Sequence, residues 1–197
     1  GDTMSHTIRV SAVDALGETD ETVAASGALA DVPALLGSAT GTRWLDESVV
    51  PRVEEAVAAS GLVDGVTGAI VGQVAVQAPE QRQGEPSVVL FAADPERMGG
   101  FSAIVGSQGE ELSLGDLGPS EVYLNEKAAE ELLVKAGDPL IVYAAGEPSP
   151  ARVRDVVEFE GAATADSALL VPLATAQELF AHPREIRTVL VSNEGDA

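Results

Sequence analysis

The 197-residue chain has no cysteine, which excludes disulfide bonds, thiolate catalysis and cysteine-ligated zinc. Basic residues are also scarce, because 11 Lys and Arg stand against 32 Asp and Glu, for a formal net charge of −21. A surface this negative repels nucleic-acid phosphates and anionic membranes, so nucleic-acid binding is excluded. The acidity is typical of a very soluble protein or of one from a saline habitat, and it also favours cationic partners.

Aromatic residues are only 4% of a chain that is 45% hydrophobic, so Val, Leu, Ile and Ala must fill the core of a folded domain. No apolar run approaches the roughly 18 residues of a membrane span, and the N-terminus lacks the basic and apolar regions of a signal peptide. The first Met is at position 4, and the sequence stops at "SNEGDA" without an obvious terminal element. We therefore expect a single domain, residues 1–197, excised from a longer protein.

Alternating apolar residues and clusters of Val, Ile and Thr predict strands along most of the chain. Glycines within the second of these strands predict that it is bent or bulged. The predicted strands cover residues 7–16, 62–77, 87–93, 102–105, 121–124, 139–144, 151–159, 168–171 and 185–192.

Helices are fewer and short. One is predicted between Thr19 and Pro33, a second over residues 48–60 with Ser48 as its cap, and another from Pro172, with Leu173, Ala176 and Phe180 on one face. With the helix of the motif described next, three to four short helices accompany about twice as many strands. Because the strands do not alternate regularly with helices, the pattern predicts an α+β fold with mixed or antiparallel sheets.

Residues 121–144, "EVYLNEKAAEELLVKAGDPLIVYA", are the most organised stretch. Asn125 is predicted to cap the short helix that separates two strands, and Gly137 and Asp138 are predicted to form the turn before the second strand, with Asp138 bonded to the turn backbone. The helix carries a predicted apolar stripe of Ala128, Ala129, Leu132 and Leu133.

The sequence contains few candidate catalytic or metal-binding residues. Its two histidines, His6 and His182, do not lie at metal-ligand spacing, and no serine lies in a Gly-x-Ser-x-Gly elbow. We therefore predict no catalytic, cofactor-binding or metal-binding residue. Met98 and Phe101 flank two glycines in a predicted loop, and this loop is either a contact tip for another protein or a plug in the core.

The motif resembles a segment of the extracytoplasmic domains, MacB-like periplasmic core domains, of FtsX-like ABC transporter permeases. The resemblance runs through "VYLNEKAAEELLVKAGDPLIVY", "RVRDVVEFEG", "ALLVPLATAQELF" and "IRTVLVSNEG", in the order of the family, over residues 120–195. The first 120 residues match only loosely. The marked acidity and the long Gly-rich connector of residues 106–120 depart from the family pattern.

The resemblance implies a non-catalytic domain without cofactors, on the extracytoplasmic face of the bacterial cell membrane, between the first and second membrane helices of a permease. It implies two sublobes, one of them inserted near residues 79–160. The implied partners are the permease's own transmembrane helices, a cytoplasmic ATPase subunit and an extracytoplasmic protein. The domain would relay ATP-driven motion to substrate export or to activation of a partner.

Two other hypotheses stay open from the residues alone. One is a free extracellular module that binds a ligand or protein on its acidic face. The other is a carboxylate-dependent hydrolase, which would need two close acids with raised pKa values in a deep cleft.

Overall fold

The computed structural model describes residues 21–24, 44–58, 63–99, 101, 103–159 and 166–193. The strands in these residues are β1 Glu21–Ala24, β2 Leu45–Asp46, β3 Val63–Ala78, β4 Gln83–Ala93, β5 Ile104–Gly106, β6 Glu111–Leu112, β7 Glu121–Asn125, β8 Pro139–Ala144, β9 Glu147–Phe159, β10 Ala168–Pro172, β11 Glu185–Ile186 and β12 Thr188–Asn193. The α-helices are α1 Val49–Ala58, α2 Glu126–Leu132 and α3 Leu173–Leu179. This mixed architecture confirms the predicted α+β class.

Six of the strands close into a barrel. β3 pairs with β4, β4 with β10, β10 with β7, β7 with β9, β9 with β8, and β8 pairs back with β3. The β4–β10 and β7–β9 pairs are parallel and the other four are antiparallel. The sheet continues beyond the ring, since β12 and then β1 extend from β3, and β5 and then β6 extend from β9.

β3 is long enough to pair with strands of the barrel and also with β12, outside the barrel. Along one edge, its first half pairs with β12 and its last residues, Ala75–Gln77, pair with β8. Along the other edge, β4 bulges between Glu85 and Val88, where Pro86 and Ser87 lie opposite Ala75. The bulge accommodates a proline without a ladder hydrogen bond, so β4 begins at Gln83, before the predicted residue 87. Within β3 itself, Asp64 is an extra residue opposite β12, between Val63 and Gly65, so the prediction that this strand is bent or bulged is confirmed.

The barrel is covered at both ends by a helix. The neighbouring strands β7 and β10 are antiparallel, and each continues directly into a helix, α2 or α3, so the two helices lie at opposite ends. Their buried residues join one cluster with the side chains that point into the barrel. The barrel side chains of this cluster are Ile70, Val74, Val76, Ala78, Val88, Leu90, Ala92, Val122, Leu124, Leu140, Val142, Ala144, Val153, Leu169 and Val171.

Asn125 begins α2 as predicted. Its Oδ1 accepts hydrogen bonds from the backbone N–H of Ala128 at 3.0 Å and of Ala168 at 2.9 Å, and its Nδ2 donates to the carbonyl of Asp166 at 2.7 Å. The residue therefore caps the helix and also fixes the start of β10. At the far side of the helix, Asp138 Oδ2 accepts from the backbone N–H of Lys135 at 3.0 Å, which confirms its predicted bond to the turn.

The predicted apolar stripe of α2 is wrong at one position. Leu132 is 0% exposed, whereas Leu133 is 63% exposed. The helix ends at Leu132, and Leu133 takes the left-handed conformation with φ 55°, which turns its side chain away from the stripe. Gly137, with φ 95°, lies in the following turn and does not end the helix.

A second cluster covers the outer face of the sheet. Side chains such as Phe91, Tyr123 and Leu170 point outward from β4, β7 and β10 and are buried by the connection that follows β4, in which Leu114 is the most buried residue. The hydroxyl of Tyr123 donates to the carbonyl of Ser113 at 3.1 Å. Burial, with a smaller effect from Asp116, raises the pKa of Tyr123 to about 12.

A third, smaller cluster attaches α1 to the sheet through Val50, Val66 and Ile186. The helix predicted between Thr19 and Pro33 is wrong where it can be compared, because residues 21–24 form β1 and pair with β12. Pairing with an open sheet edge outweighs the weak helix preference of so short a segment. The strand predicted over residues 7–16 lies outside the described residues.

Candidate functional site: a cleft between α1 and the loop of residues 94–101

A cleft of about 350 Å³ lies where α1, the start of α3 and the connection after β4 meet. It adjoins the loop of residues 94–101, which the sequence predicted to be either a contact tip for another protein or a plug in the core. The residues that line the cleft are Glu47, Ser48, Val50, Pro51, Gly68, Asp94, Arg97, Leu173 and Arg184.

The described residues of this loop, 94–99 and 101, contact the body of the domain. Asp94 Oδ1 accepts from the backbone N–H of Glu96 at 3.1 Å and so caps the 3₁₀ turn Pro95–Arg97. Met98 and Phe101 are half-buried against the outer cluster, and a Cβ on Gly65 would lie 2.9 Å from the Phe101 ring. Gly65 therefore leaves the space that Phe101 fills. A contact between this loop and another protein stays a prediction.

Two arginines line the cleft, and each is paired with carboxylates. Arg97 lies 2.8 Å from Glu54 on α1 and 3.8 Å from Asp94, and the hydrogen bond with Glu54 is the main cause that raises the pKa of Arg97. Arg184 lies 3.3 Å from Glu47. These pairs join the loop and the α3–β11 connection to the segment that contains α1.

The floor of the cleft is apolar. Val50, Pro51 and Leu173 line it, together with the backbone of Gly68 on β3. A Cβ at Gly68 would lie 3.0 Å from Val50 and 3.1 Å from Ile186, so glycine is what lets α1 approach the strand this closely. Just before α1, the backbone N–H of Ser48 donates to Asp46 Oδ1 at 2.9 Å, and the predicted Ser48 cap stays a prediction.

A buried cation lies at the α3 end of the barrel. Arg187 is 7% exposed, and its guanidinium lies 4.6 Å from the Trp44 ring centroid and 5.2 Å from that of Phe180. Its Nε has no hydrogen-bond partner among the residues that the structure describes, and burial lowers the pKa of Arg187. A Cβ on Gly72 would lie 3.3 Å from both Arg187 and Phe180, so glycine makes room for this cluster.

His182 belongs to the same aromatic cluster. Its ring stacks on Trp44 with centroids 3.9 Å apart, and its Nδ1 lies 2.6 Å from Glu185. Within the described ranges, no three His, Asp or Glu side chains are grouped so that they could hold a metal ion. His6 lies outside those ranges. Sequence reasoning did not single out Arg187, for which the one signal was a charged residue inside the apolar run of residues 186–191.

Comparison with known families gives the class of protein. The model of the MacB-like periplasmic core domain matches residues 4–196. The chain therefore belongs to the MacB-like periplasmic core domain family, the extracytoplasmic domains of MacB- and FtsX-like ABC transporter permeases. The resemblance found in residues 120–195 is thus confirmed and extends over nearly the whole chain. Among curated proteins, no sequence matches.

Two solved structures share the fold. The extracellular domain of the noncanonic ABC-type transporter YknZ from Gram-positive bacteria is 18% identical, with a TM-score of 0.54 over 77% of this chain and 74% of that chain. The periplasmic region of MacB from Actinobacillus actinomycetemcomitans is 16% identical, with a TM-score of 0.58 over 89% of this chain and 75% of that chain. In the described part of this chain, no helix has the length and apolar character needed to cross a membrane.

Proposed function

We propose that this non-catalytic domain relays the ATP-driven motion of a permease, as a rigid body, to an exported substrate or to an extracytoplasmic partner. Its place is the extracytoplasmic face of a bacterial cell membrane. The permease's own transmembrane helices and a cytoplasmic ATPase subunit are its proposed partners. Family membership supports the extracytoplasmic place of the domain, and the architecture supports the relay.

The observation that carries the relay is the closed barrel with a helix at each end. A ring of six strands has no free edge at which it can open, and its aliphatic interior is continuous with the buried faces of α2 and α3. Close-packed cores resist gradual deformation, so such a unit responds to force by moving as one body.

β3 offers a direct route for that motion. Its first residues pair with β12 and pack under α1, and its last residues belong to the barrel seam with β8. A displacement of β12 or α1 is therefore applied to the same strand that forms the barrel wall. No hinge is needed between the two parts of the sheet.

The relay is tested by loosening the barrel in the intact permease. Leu132→Ala leaves a cavity under α2, and we expect ATP hydrolysis to continue while transport falls. Leu133→Ala, one residue further and exposed, is the matched control and should leave transport unchanged. Normal transport by a Leu132→Ala permease whose domain is measurably destabilised would contradict the relay.

The inserted sublobe near residues 79–160 stays a prediction. Four of the six ring strands, β4, β7, β8 and β9, lie in this range and complete the same ring as β3 and β10. Limited proteolysis tests the division: a protected fragment with cuts near residues 79 and 160 would support a separate sublobe, and simultaneous loss of the whole chain would contradict it.

A further inference from the structure

We propose that residues 44–58, which we call the α1 segment, detach from the rest of the domain as one unit while the barrel stays folded. When the segment is attached, it moves with β3; when it is detached, it does not pass its motion to β3. This consequence for transport rests on the proposed function, whereas the detachment itself goes beyond it.

The cleft described above separates the α1 segment from its neighbours. Glu47, Ser48, Val50 and Pro51 line it from the segment, and the facing wall comes from β3, the loop of residues 94–101, α3 and the α3–β11 connection. Protein interiors contain few voids larger than a water molecule, so an opening of about 350 Å³ marks an incompletely packed boundary. Regions with few buried apolar contacts open at a lower free energy than the core.

The α1 segment buries little apolar surface for its length. Of the described side chains in the ten-residue α1, only Val50 is buried, and Val49 and Val53 are partly buried beside it. The seven-residue α2, in contrast, buries three residues in the cluster that fills the barrel. The hydrophobic attachment of α1 is therefore the weaker of the two.

Several further attachments of the segment are polar and exposed. Glu54 pairs with Arg97 at 2.8 Å, and Glu47 pairs with Arg184 at 3.3 Å. Glu47 also accepts from Gln177 Nε2 at 3.1 Å. The side chains in the two ion pairs are between 35% and 76% exposed, and exposed pairs contribute little to stability and are weakened by salt.

The backbone pairing of the segment is separate from that of the barrel. β2 pairs with β11 in a sheet of two strands, with two residues from each strand, and this sheet does not join the main sheet. Detachment of the segment therefore breaks this short ladder and leaves every strand pair of the barrel intact. The barrel keeps its aliphatic interior, to which α1 does not belong.

Native-state hydrogen exchange of the 197-residue chain, followed by NMR at increasing denaturant concentration, tests the detachment. We expect the amides of α1 and β2 to exchange through one common opening, with protection at least about tenfold lower than that of the barrel amides of β3 and β4, a difference of about 1.4 kcal/mol. Equal protection of the two sets would mean that the segment opens only when the whole domain unfolds. Separate openings of single α1 amides would show fraying of the helix. Either result would overturn the proposal.

Two matched variants distinguish detachment from fraying. Val50→Ala weakens a contact that both detachment and global unfolding break, so we expect protection to fall by the same factor, about tenfold, in α1 and in the barrel. Asn125→Ser weakens the α2 cap, which stays formed in the detached state, so protection should fall in the barrel and stay within about twofold in α1.

A fall of α1 protection with Asn125→Ser that matches the fall in the barrel, or unchanged α1 protection with Val50→Ala, would contradict the detachment. The comparison of α1 with the barrel in the unaltered chain decides the matter if a variant does not fold. The exchange measurement involves neither ATP nor transport, so its failure would leave the relay standing. Failure of the relay in the intact permease would likewise leave a measured detachment in place.

Discussion

The two ends of the barrel are closed in different ways. At the α2 end, an asparagine caps the helix and three small or aliphatic side chains, Ala128, Ala129 and Leu132, enter the core. At the α3 end, a proline without a side-chain cap begins the helix, and Phe180 lies with Trp44 under the guanidinium of Arg187. One end is aliphatic, and the other holds aromatic rings around a cation.

The difference shows how far each closure depends on distant parts of the chain. The helix of the α2 end and its cap come from one continuous segment, Glu121–Leu132, although the helix also packs on β4, β9 and β10. The α3 end combines Trp44, Phe180 and Arg187, which the chain brings together only in the finished fold. We therefore expect the α2 end to dominate stability and the α3 end to tolerate substitutions that keep its volume.

The largest effect on stability is expected from a substitution at the α2 end. Leu132→Ala removes a side chain that is 0% exposed, and we expect the free energy of unfolding to fall by about 2–5 kcal/mol. Denaturant unfolding monitored by circular dichroism measures the change. A loss below about 1 kcal/mol would mean that the helix relaxes into the cavity and that the end is not tightly packed.

Asn125→Ala should have the next largest effect. The change removes the helix cap and leaves the backbone N–H of Ala168 without its acceptor, so we expect a loss of about 2 kcal/mol. Asn125→Ser, whose hydroxyl can still cap the helix, should recover part of this loss. Equal unfolding midpoints for the alanine and serine variants would contradict the capping role.

Arg187→Met tests whether the buried cation stabilises the α3 end. Methionine keeps much of the volume while removing a buried cation, and well-packed apolar replacements of buried charges are often neutral or stabilising, so we expect a change within about 1 kcal/mol. The emission of Trp44, the only tryptophan in the sequence, should respond to the loss of the guanidinium. Destabilisation by more than about 3 kcal/mol would show that the cation itself holds this end together.

The smallest effect is expected at Leu133→Ala. Its side chain is 63% exposed, so we expect the free energy of unfolding to change by less than about 0.5 kcal/mol. The contrast with Leu132→Ala, measured under the same conditions, isolates the effect of burial on adjacent leucines. Similar losses for the two variants would contradict the side-chain orientations described for α2.

The sequence correctly predicted features that depend on residues close together in the chain. The Asn125 cap, the Asp138 turn and the bulged strand over residues 62–77 follow from propensity, alternation and glycine content, and all three are present. The Leu133 prediction failed because the helix ended one residue earlier, in a left-handed conformation that helical periodicity does not report.

Closure of the barrel could not be predicted from local sequence patterns. The seam joins β3 to β8, where the Tyr143 hydroxyl donates to Gln77, 66 residues away in the chain. No local pattern specifies which distant strand pairs with which. The cleft and the Arg187 cluster depend on the same long-range pairing, so the side chains that form them could be predicted only as separate residues.

Locking the barrel seam in the intact permease tests the relay most directly. The chain has no cysteine of its own, so Gln77→Cys and Ile141→Cys, at facing positions of β3 and β8, allow a disulfide to join these strands. The rigid-body account predicts the same ATP-driven transport whether the disulfide is oxidised or reduced. Transport that is lost on oxidation, restored by a reductant and unaffected in the single-cysteine variants would show that the barrel must open, and would contradict the account.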